Sequence, residues 1–440
     1  MTDAARPSGA PGPARELGRG VVGALIVVAV VLGAVWWTTA SDDSSDSDTS
    51  QALPSSGPPM DETTRDERTT ALLHDLSVSW ARRDQRGFLA AAGDSEAARK
   101  WAGQVYATLD DLGVGWIDLR YIATDSESAA DPLGFTADVE VRWEIPAGPE
   151  RQVYRTAPVD VPLRFSYEDN DVALVGLDSP TSDPVPVWLA GPVRVESASG
   201  GTCVGVPDGV NLDTCVRLVD VAARDLNRVV PDDGIAGQPV VVLVPAADNT
   251  AAMLLGQDVD NLEQIAAVTT TIDGSRSGRA PAEIVLNPAV FDDLRHKAAQ
   301  LVISHEVTHA ATGVTAAEMP LWVAEGFADY VALASGRIPL DQAASQILAH
   351  VRKHDVPARI PTEKQFSADR HGLGRTYESA WLIFRMLGAY YGNDAVVSFY
   401  DEVRTGTPVE SALLHTTGID LDQLTTAWQD YLHDLAYGAY

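Results

Sequence analysis

The chain has 440 residues, enough for two or three domains, and an apolar fraction of 45% that suits a protein with a buried core. Its 62 Asp and Glu residues outnumber 32 Lys and Arg residues, and the formal net charge of -30 argues against binding nucleic acid or anionic lipid through basic patches. Its 2 cysteines exclude a disulfide-rich scaffold and a zinc cluster made of cysteines.

An apolar segment near the N-terminus predicts a membrane anchor. Residues 21–40 begin with a run that has no charged side chain, and about 20 helical residues span the hydrocarbon layer of a bilayer. Arginines precede this run and aspartates follow it, so the positive-inside rule places residues 1–20 in the cytoplasm and the rest outside. A cleaved signal peptide is the alternative, although its apolar core is normally shorter. We therefore expect a single-pass protein of the cell membrane whose domains beyond residue 40 are extracellular.

Two domains are predicted beyond a disordered acidic linker at residues 41–62. In residues 63–180, apolar residues first recur at helical spacing and then alternate with polar ones from Trp116 onward. Helices followed by an antiparallel sheet make a small α+β domain, and this order resembles the nuclear-transport-factor-like cone fold. A proline-rich stretch then leads into residues 187–440, where helices dominate from Asp292 to the end.

The two cysteines, Cys203 and Cys215, lie close together at the start of the second domain. On the oxidising side of a membrane they are expected to form a disulfide, which would stabilise the fold by roughly 3 kcal/mol. Two free thiols are the alternative.

The sequence His305-Glu306-Val307-Thr308-His309 is an H-E-x-x-H motif. On a helix, side chains at i and i+4 lie on one face, so two imidazoles can bind one metal ion. The glutamate beside the first histidine can then take a proton from water. The apolar spacing from Asp292 onward predicts the helix that this arrangement requires. The alternative is a buried structural histidine and an ordinary surface pair.

A third ligand is expected on the next helix. Metzincins continue the motif with Gly and His, but Thr312 and Thr315 stand at those positions. Glu325 lies instead among apolar neighbours in the segment PLWVAEGFADYVAL, where an unpaired carboxylate would be unfavourable. Asp329 follows one helical turn later and is suited to accept the ring N–H of a ligating histidine.

The two segments HEVTH and PLWVAEGFADY together resemble those of the gluzincin metallopeptidases, in the peptidase-MA-like and aminopeptidase-related branch. The resemblance implies a zinc ion held by His305, His309 and Glu325, with Glu306 as the general base. That branch also has a tyrosine on a later helix that stabilises the oxyanion, and the segment Tyr-Glu-Ser-Ala makes Tyr377 the candidate for this role.

Two departures limit what the resemblance implies. Only 15 residues separate His309 from Glu325, fewer than in the aminopeptidases. No segment like Gly-Ala-Met-Glu-Asn precedes the motif, so the apparatus that binds a substrate's N-terminus is missing, and an exopeptidase is not supported.

The predicted fold is thus α+β: a transmembrane helix, a small cone-like domain and a mainly helical metallopeptidase domain with a small mixed sheet. Residues 282–286 are expected to form an edge strand that pairs with an extended peptide. The predicted function is zinc-dependent hydrolysis of peptide or protein substrates, without a nucleic-acid partner, and the oligomeric state stays open. Two alternatives remain, a zinc hydrolase for another substrate class and a catalytically silent sensor whose small domain captures a ligand.

Overall fold

The computed structural model describes residues 60–125, 132–147, 152–168, 171–178, 183–231, 237, 240–275, 280–367 and 372–438. Within these residues, no helix combines the length and apolar character needed to cross a bilayer. The prediction of a single-pass anchor, and with it the predicted localisation in the cell membrane, is therefore not supported and is corrected here. The segment chosen as the anchor, residues 21–40, lies outside the described residues, as do residues 1–20 and most of the predicted linker.

In the described part of residues 60–178, helices precede an antiparallel sheet. The elements are α1 (Glu62–Ala81), α2 (Gln85–Ala92), α3 (Glu96–Asp111), β1 (Trp116–Thr124), β2 (Gly134–Ala147), β3 (Gln152–Arg155), β4 (Val159–Glu168) and β5 (Asp171–Leu177). Asp61, Asp84 and Ser95 cap the three helices, because each side chain accepts a hydrogen bond from a backbone N–H in the first turn. The strand order is β1-β2-β4-β5, with β3 paired to β2. We call this part the N-terminal unit.

The interior of the N-terminal unit is filled by aromatic side chains. Trp80 and Phe88 from the helices and Phe135 and Phe165 from the sheet are all buried, and the two sheet phenylalanines stack with ring centroids 5.2 Å apart. The predicted order of helices followed by antiparallel strands is confirmed. The likeness to the nuclear-transport-factor-like fold stays a prediction.

The described residues from 187 onward, the C-terminal unit, contain a mixed sheet, and residues 183–186 belong to the proline-rich linker that precedes it. Its strands are β6 (Arg194–Ala198), β7 (Gly201–Val206), β8 (Val241–Pro245), β9 (Ala267–Thr271) and β10 (Ala282–Leu286), in the order β6-β7-β8-β10-β9. The strand β10 pairs in parallel with β8 and antiparallel with β9. The prediction that residues 282–286 form an edge strand is therefore wrong, because both sides of β10 are hydrogen-bonded. The edge strands of this described sheet are β6 and β9, and all residues of β9 are buried.

Helices make up most of the C-terminal unit, as predicted. They are α4 (Val187–Ala190), α5 (Asp213–Val229), α6 (Asp248–Leu255), α7 (Pro288–Phe291), α8 (His296–Thr312), α9 (Leu321–Leu333), α10 (Leu340–Ala343), α11 (Ser345–His354), α12 (Leu373–Tyr391), α13 (Asn393–Arg404), α14 (Val409–Thr417) and α15 (Leu421–Tyr437). The helix α8 ends at Gly313, whose φ of +65° a residue with a Cβ rarely adopts. One continuous hydrophobic core joins α5, α8, α9, α12 and the later helices.

The disulfide between Cys203 and Cys215 is present and joins β7 to α5. This prediction is confirmed. Disulfides are typical of proteins from oxidising compartments.

The two units contact each other along a seam. The backbone N–H of Ala157 donates to Asp273 Oδ2 at 2.6 Å, and that of Val185, in the proline-rich linker between the units, donates to the Met253 carbonyl at 3.1 Å. The hydroxyl of Thr108 donates to the Gly191 carbonyl at 3.3 Å. The division into domains at the predicted bounds stays a prediction.

Candidate metal centre

Two packed helices bring the three predicted ligands together. The helix α8 carries His305 and His309 on one face, and α9 presents Glu325 opposite them. Glu325 Oε2 lies 3.0 Å from His305 Nε2 and 3.4 Å from His309 Nε2, and the two Nε2 atoms are 2.9 Å apart. Each of the three residues exposes 2% or less of its surface. A candidate ligand group of two imidazoles and one carboxylate is therefore enclosed by protein.

Asp329 fixes the orientation of the first imidazole. Its Oδ1 lies 2.8 Å from His305 Nδ1, so the ring donates its Nδ1–H there and its Nε2 is the atom that faces His309 and Glu325. This is the contact that the spacing of Glu325 and Asp329 predicts. Carboxylates commonly orient ligating histidines in this way.

The donor atoms of this group fit a metal ion better than they fit one another. Lone pairs of neighbouring imidazoles and a carboxylate repel unless a cation or a proton lies between them. Glu325 Oε1 and His309 Nδ1 are buried and have no hydrogen-bond partner in the protein. Two imidazoles and one carboxylate are the ligand set of many catalytic zinc sites. The residues present therefore fit a zinc ion.

The electrostatics of the group also favour a cation. Burial by itself lowers the pKa of His305, but the Asp329 and Glu325 carboxylates outweigh burial and raise that pKa well above its ordinary value. Burial would raise the pKa of Glu325, yet the adjacent His309 and His305 lower it to about 2. Glu325 thus stays ionised, and a metal ion that binds at His305 Nε2 must displace the proton that the raised pKa keeps on that ring.

Glu306 lies next to the ligand group and is also buried. Its Oε2 accepts a hydrogen bond from the Thr269 hydroxyl at 2.5 Å, whereas its Oε1 has no partner in the protein. Burial raises the pKa of Glu306, and the charges of His305 and His309 oppose this effect. The structure therefore brings the predicted base to the predicted ligands.

Tyr377 approaches the same group from α12. Its ring centroid is 6.4 Å from that of His305, and Phe366 packs edge-on against it at 5.3 Å. Burial, together with the negative charges of Glu325, Asp329 and Glu306, raises the pKa of Tyr377 well above its ordinary value. The phenol stays protonated at neutral pH and is a hydrogen-bond donor.

Two features of the site were not predicted from the sequence. Thr269 belongs to a run of threonines in β9 that carries no motif. Asp225 on α5 is fully buried and accepts hydrogen bonds from Ser304 at 2.9 Å and from Arg337 at 2.6 and 2.9 Å. This carboxylate links Ser304, the residue just before the H-E-x-x-H motif on α8, to Arg337 in the segment after α9.

Residues 286–434 match a family model of the Peptidase MA superfamily. The match spans α8, α9 and α12, and so includes the candidate ligands, Glu306 and Tyr377. It supports the predicted gluzincin-like peptidase domain at the level of the superfamily. No curated protein matches the chain.

Proposed function

We propose that the protein is a zinc-dependent peptidase in which His305, His309 and Glu325 hold the ion and Glu306 is the general base. The observation that carries this proposal is the enclosed ligand group, whose donor atoms lie within 4.8 Å of one another, with Glu306 beside it. The match to the Peptidase MA superfamily over residues 286–434 supports it.

A zinc ion held by these residues would supply a Lewis acid that eases loss of a proton from water near neutral pH and polarises a peptide carbonyl. Asp329 keeps His305 in the tautomer whose Nε2 is available as a ligand. The enclosure of the site strengthens each of these electrostatic interactions, because little water screens them.

Glu306 and Tyr377 perform the proton transfer and the charge stabilisation in this proposal. The unpaired Oε1 of Glu306 accepts a proton from the attacking water and then delivers it to the leaving amine. The protonated phenol of Tyr377 donates a hydrogen bond to the oxyanion that forms at the substrate carbonyl.

The enclosed site also bears on the substrate. Thr269 and Glu306 expose 0% and 1% of their surfaces, and the short helix Val314–Ala316 lies against β9. A peptide can therefore contact Glu306 only after neighbouring groups move, because the side chain is closed to solvent. Extended and unfolded polypeptides are the substrates to test first.

A chelation experiment with a matched variant tests the proposal. The purified protein is incubated with a diverse peptide mixture, and cleavage is followed by mass spectrometry with zinc, with chelator and after zinc is restored. We expect chelator to abolish cleavage and zinc to restore it. Glu306→Gln should lower kcat by about 10²–10⁴-fold without changing the zinc content. Glu318→Gln changes an exposed glutamate and should leave kcat unchanged.

The outcomes separate the candidate functions. Cleavage that resists both the chelator and Glu306→Gln would contradict the zinc mechanism. A protein that binds one zinc ion and cleaves no peptide would instead favour the silent sensor or another zinc hydrolase. The sensor has no support from the described interior of the N-terminal unit, which Trp80, Phe88, Phe135 and Phe165 fill.

A further inference from the structure

We propose that Thr269 is a positioning residue for Glu306, an inference that rests on the proposed function. The Thr269 hydroxyl donates to Glu306 Oε2 at 2.5 Å, although the two residues are 37 positions apart. Both side chains are buried, so water does not compete for this hydrogen bond. Within the described residues, no other side chain donates a hydrogen bond to the Glu306 carboxylate.

The hydrogen bond leaves the two oxygens of Glu306 unequal. Oε2 is held by the threonine, whereas Oε1 has no partner in the protein. A carboxylate that could rotate freely would present either oxygen to water in many orientations. The Thr269 hydroxyl selects one orientation and leaves Oε1 as the oxygen that takes the proton.

The backbone that carries Thr269 is itself fixed. Thr269 pairs with Ile284 in the antiparallel ladder between β9 and β10, and β9 packs against α8, which carries Glu306. A threonine side chain has few allowed χ1 rotamers, because its Cβ is branched. The hydroxyl therefore reaches Glu306 from a rigid strand rather than from a loop, which is the arrangement expected of a positioning group.

Three variants separate this role from a merely structural one. Thr269→Val keeps the shape of the side chain but removes the hydroxyl, and Thr269→Ser keeps the hydroxyl. Thr271→Val is the matched control, because Thr271 lies two positions along the same strand and its hydroxyl donates to the Ser275 carbonyl instead. All are made in the full-length protein, and zinc content and thermal midpoint are measured with kcat and KM.

We expect Thr269→Val to lower kcat by about 10- to 100-fold with KM and zinc content within twofold of the wild-type values, because misplaced reacting groups lose rate rather than binding. Thr269→Ser should recover most of kcat, and Thr271→Val should keep it. Wild-type kcat in Thr269→Val, or equal losses in the Val and Ser variants, would overturn the positioning role.

A double-mutant cycle tests the contact without relying on activity. Unfolding of the zinc-free protein is compared among the wild type, Thr269→Val, Glu306→Ala and the double variant. We expect a coupling of roughly tenfold in the unfolding equilibrium constant, as hydrogen bonds to charged groups give. A coupling below twofold would overturn the proposal. If the wild type cleaves no peptide, the proposed function fails, and the positioning role falls with it even where the coupling persists.

Discussion

Glu283 is a buried acid on β10 of the mixed sheet, between β8 and β9. It exposes 5% of its surface, and burial together with the charge of Asp273 raises its pKa to about 8. In the unfolded chain its pKa is near the ordinary value of 4.5. Between these two values the unfolded state loses the proton and the folded state keeps it, so the free energy of unfolding falls as the pH rises through this window.

Glu283→Gln should remove this pH dependence, because glutamine keeps the neutral shape of the protonated acid. We expect the stability of the variant relative to wild type to increase by roughly 3 kcal/mol between pH 5 and pH 8. Urea unfolding at both pH values, with the disulfide intact, measures this difference. The exposed variant Glu318→Gln provides the control, and a difference for Glu283→Gln that stays constant with pH would contradict the prediction.

Among individual residues, the candidate ligands are easier to predict from the sequence than the side chains that contact them. His305, Glu306 and His309 are fixed by helical spacing, and Glu325 and Asp329 follow from one further helix. The contact between Thr269 and Glu306 could not be predicted, because it depends on which strand lies beside α8. Threonine is a common strand residue, so the run in β9 gives no signal of its own.

The helices α9 and α12, which carry Glu325 and Tyr377 respectively, pack closely against each other. Gly326 permits this packing, because a Cβ there would lie 2.7 Å from the Ala380 carbonyl oxygen and 2.8 Å from Phe384 Cδ2. The neighbouring Glu325 is a candidate ligand on α9, and Tyr377 lies on α12. The distance between the two helices therefore sets the distance between the ligand group and the phenol.

Gly326→Ala should separate the two helices, because the added methyl group meets backbone atoms that cannot move independently. We expect a loss of about 1–3 kcal/mol in the free energy of unfolding, together with a lower kcat. Gly103→Ala is the matched control, since Gly103 lies in α3 with no atom within 4 Å of the added Cβ. That substitution should stabilise the protein by about 0.5–1 kcal/mol. Urea unfolding of both variants makes the comparison, and equal effects would refute the packing argument.

The sequence predicts helices and strands that have a clear apolar pattern. It does not predict which strands lie next to each other in the sheet. The period from Asp292 onward predicts the helix that the structure has at His296–Thr312. The sequence predicts a strand at residues 282–286 but not its position between β8 and β9. An apolar run identifies a buried strand without saying which strands flank it, because strand order is decided by tertiary packing.

At the scale of the whole molecule, the N-terminal unit contacts the turn that follows β9. The Ala157 N–H donates to Asp273, which lies two residues after the end of that strand, and Ile272 packs against the core of the N-terminal unit. The same strand carries Thr269. The N-terminal unit thus contacts the turn directly after the strand whose threonine donates to Glu306. The sequence does not predict this contact, because a proline-rich linker does not determine how the two units that it joins pack together.

The proline-rich linker between the two units, which includes Asp183 and Pro184, fits tightly against the C-terminal unit at Gly256. This glycine has a φ of +60°, and a Cβ there would lie 2.5 Å from the Asp183 carbonyl carbon and 2.6 Å from the Pro184 nitrogen. Gly336 offers a matched position, with a φ of +66° and open space around it. An alanine at either site adopts the left-handed conformation, which costs about 1–2 kcal/mol. Only at Gly256 must the linker backbone also move.

Gly256→Ala should therefore destabilise the protein by about 1–3 kcal/mol more than Gly336→Ala, because overpacking adds to the backbone strain. The displaced linker should also weaken the hydrogen bond from the Val185 N–H to the Met253 carbonyl. Urea unfolding measures the first effect, and faster hydrogen exchange at the Val185 amide measures the second. If both variants lose the same stability and the Val185 amide exchanges as in the wild type, the linker is not held at Gly256.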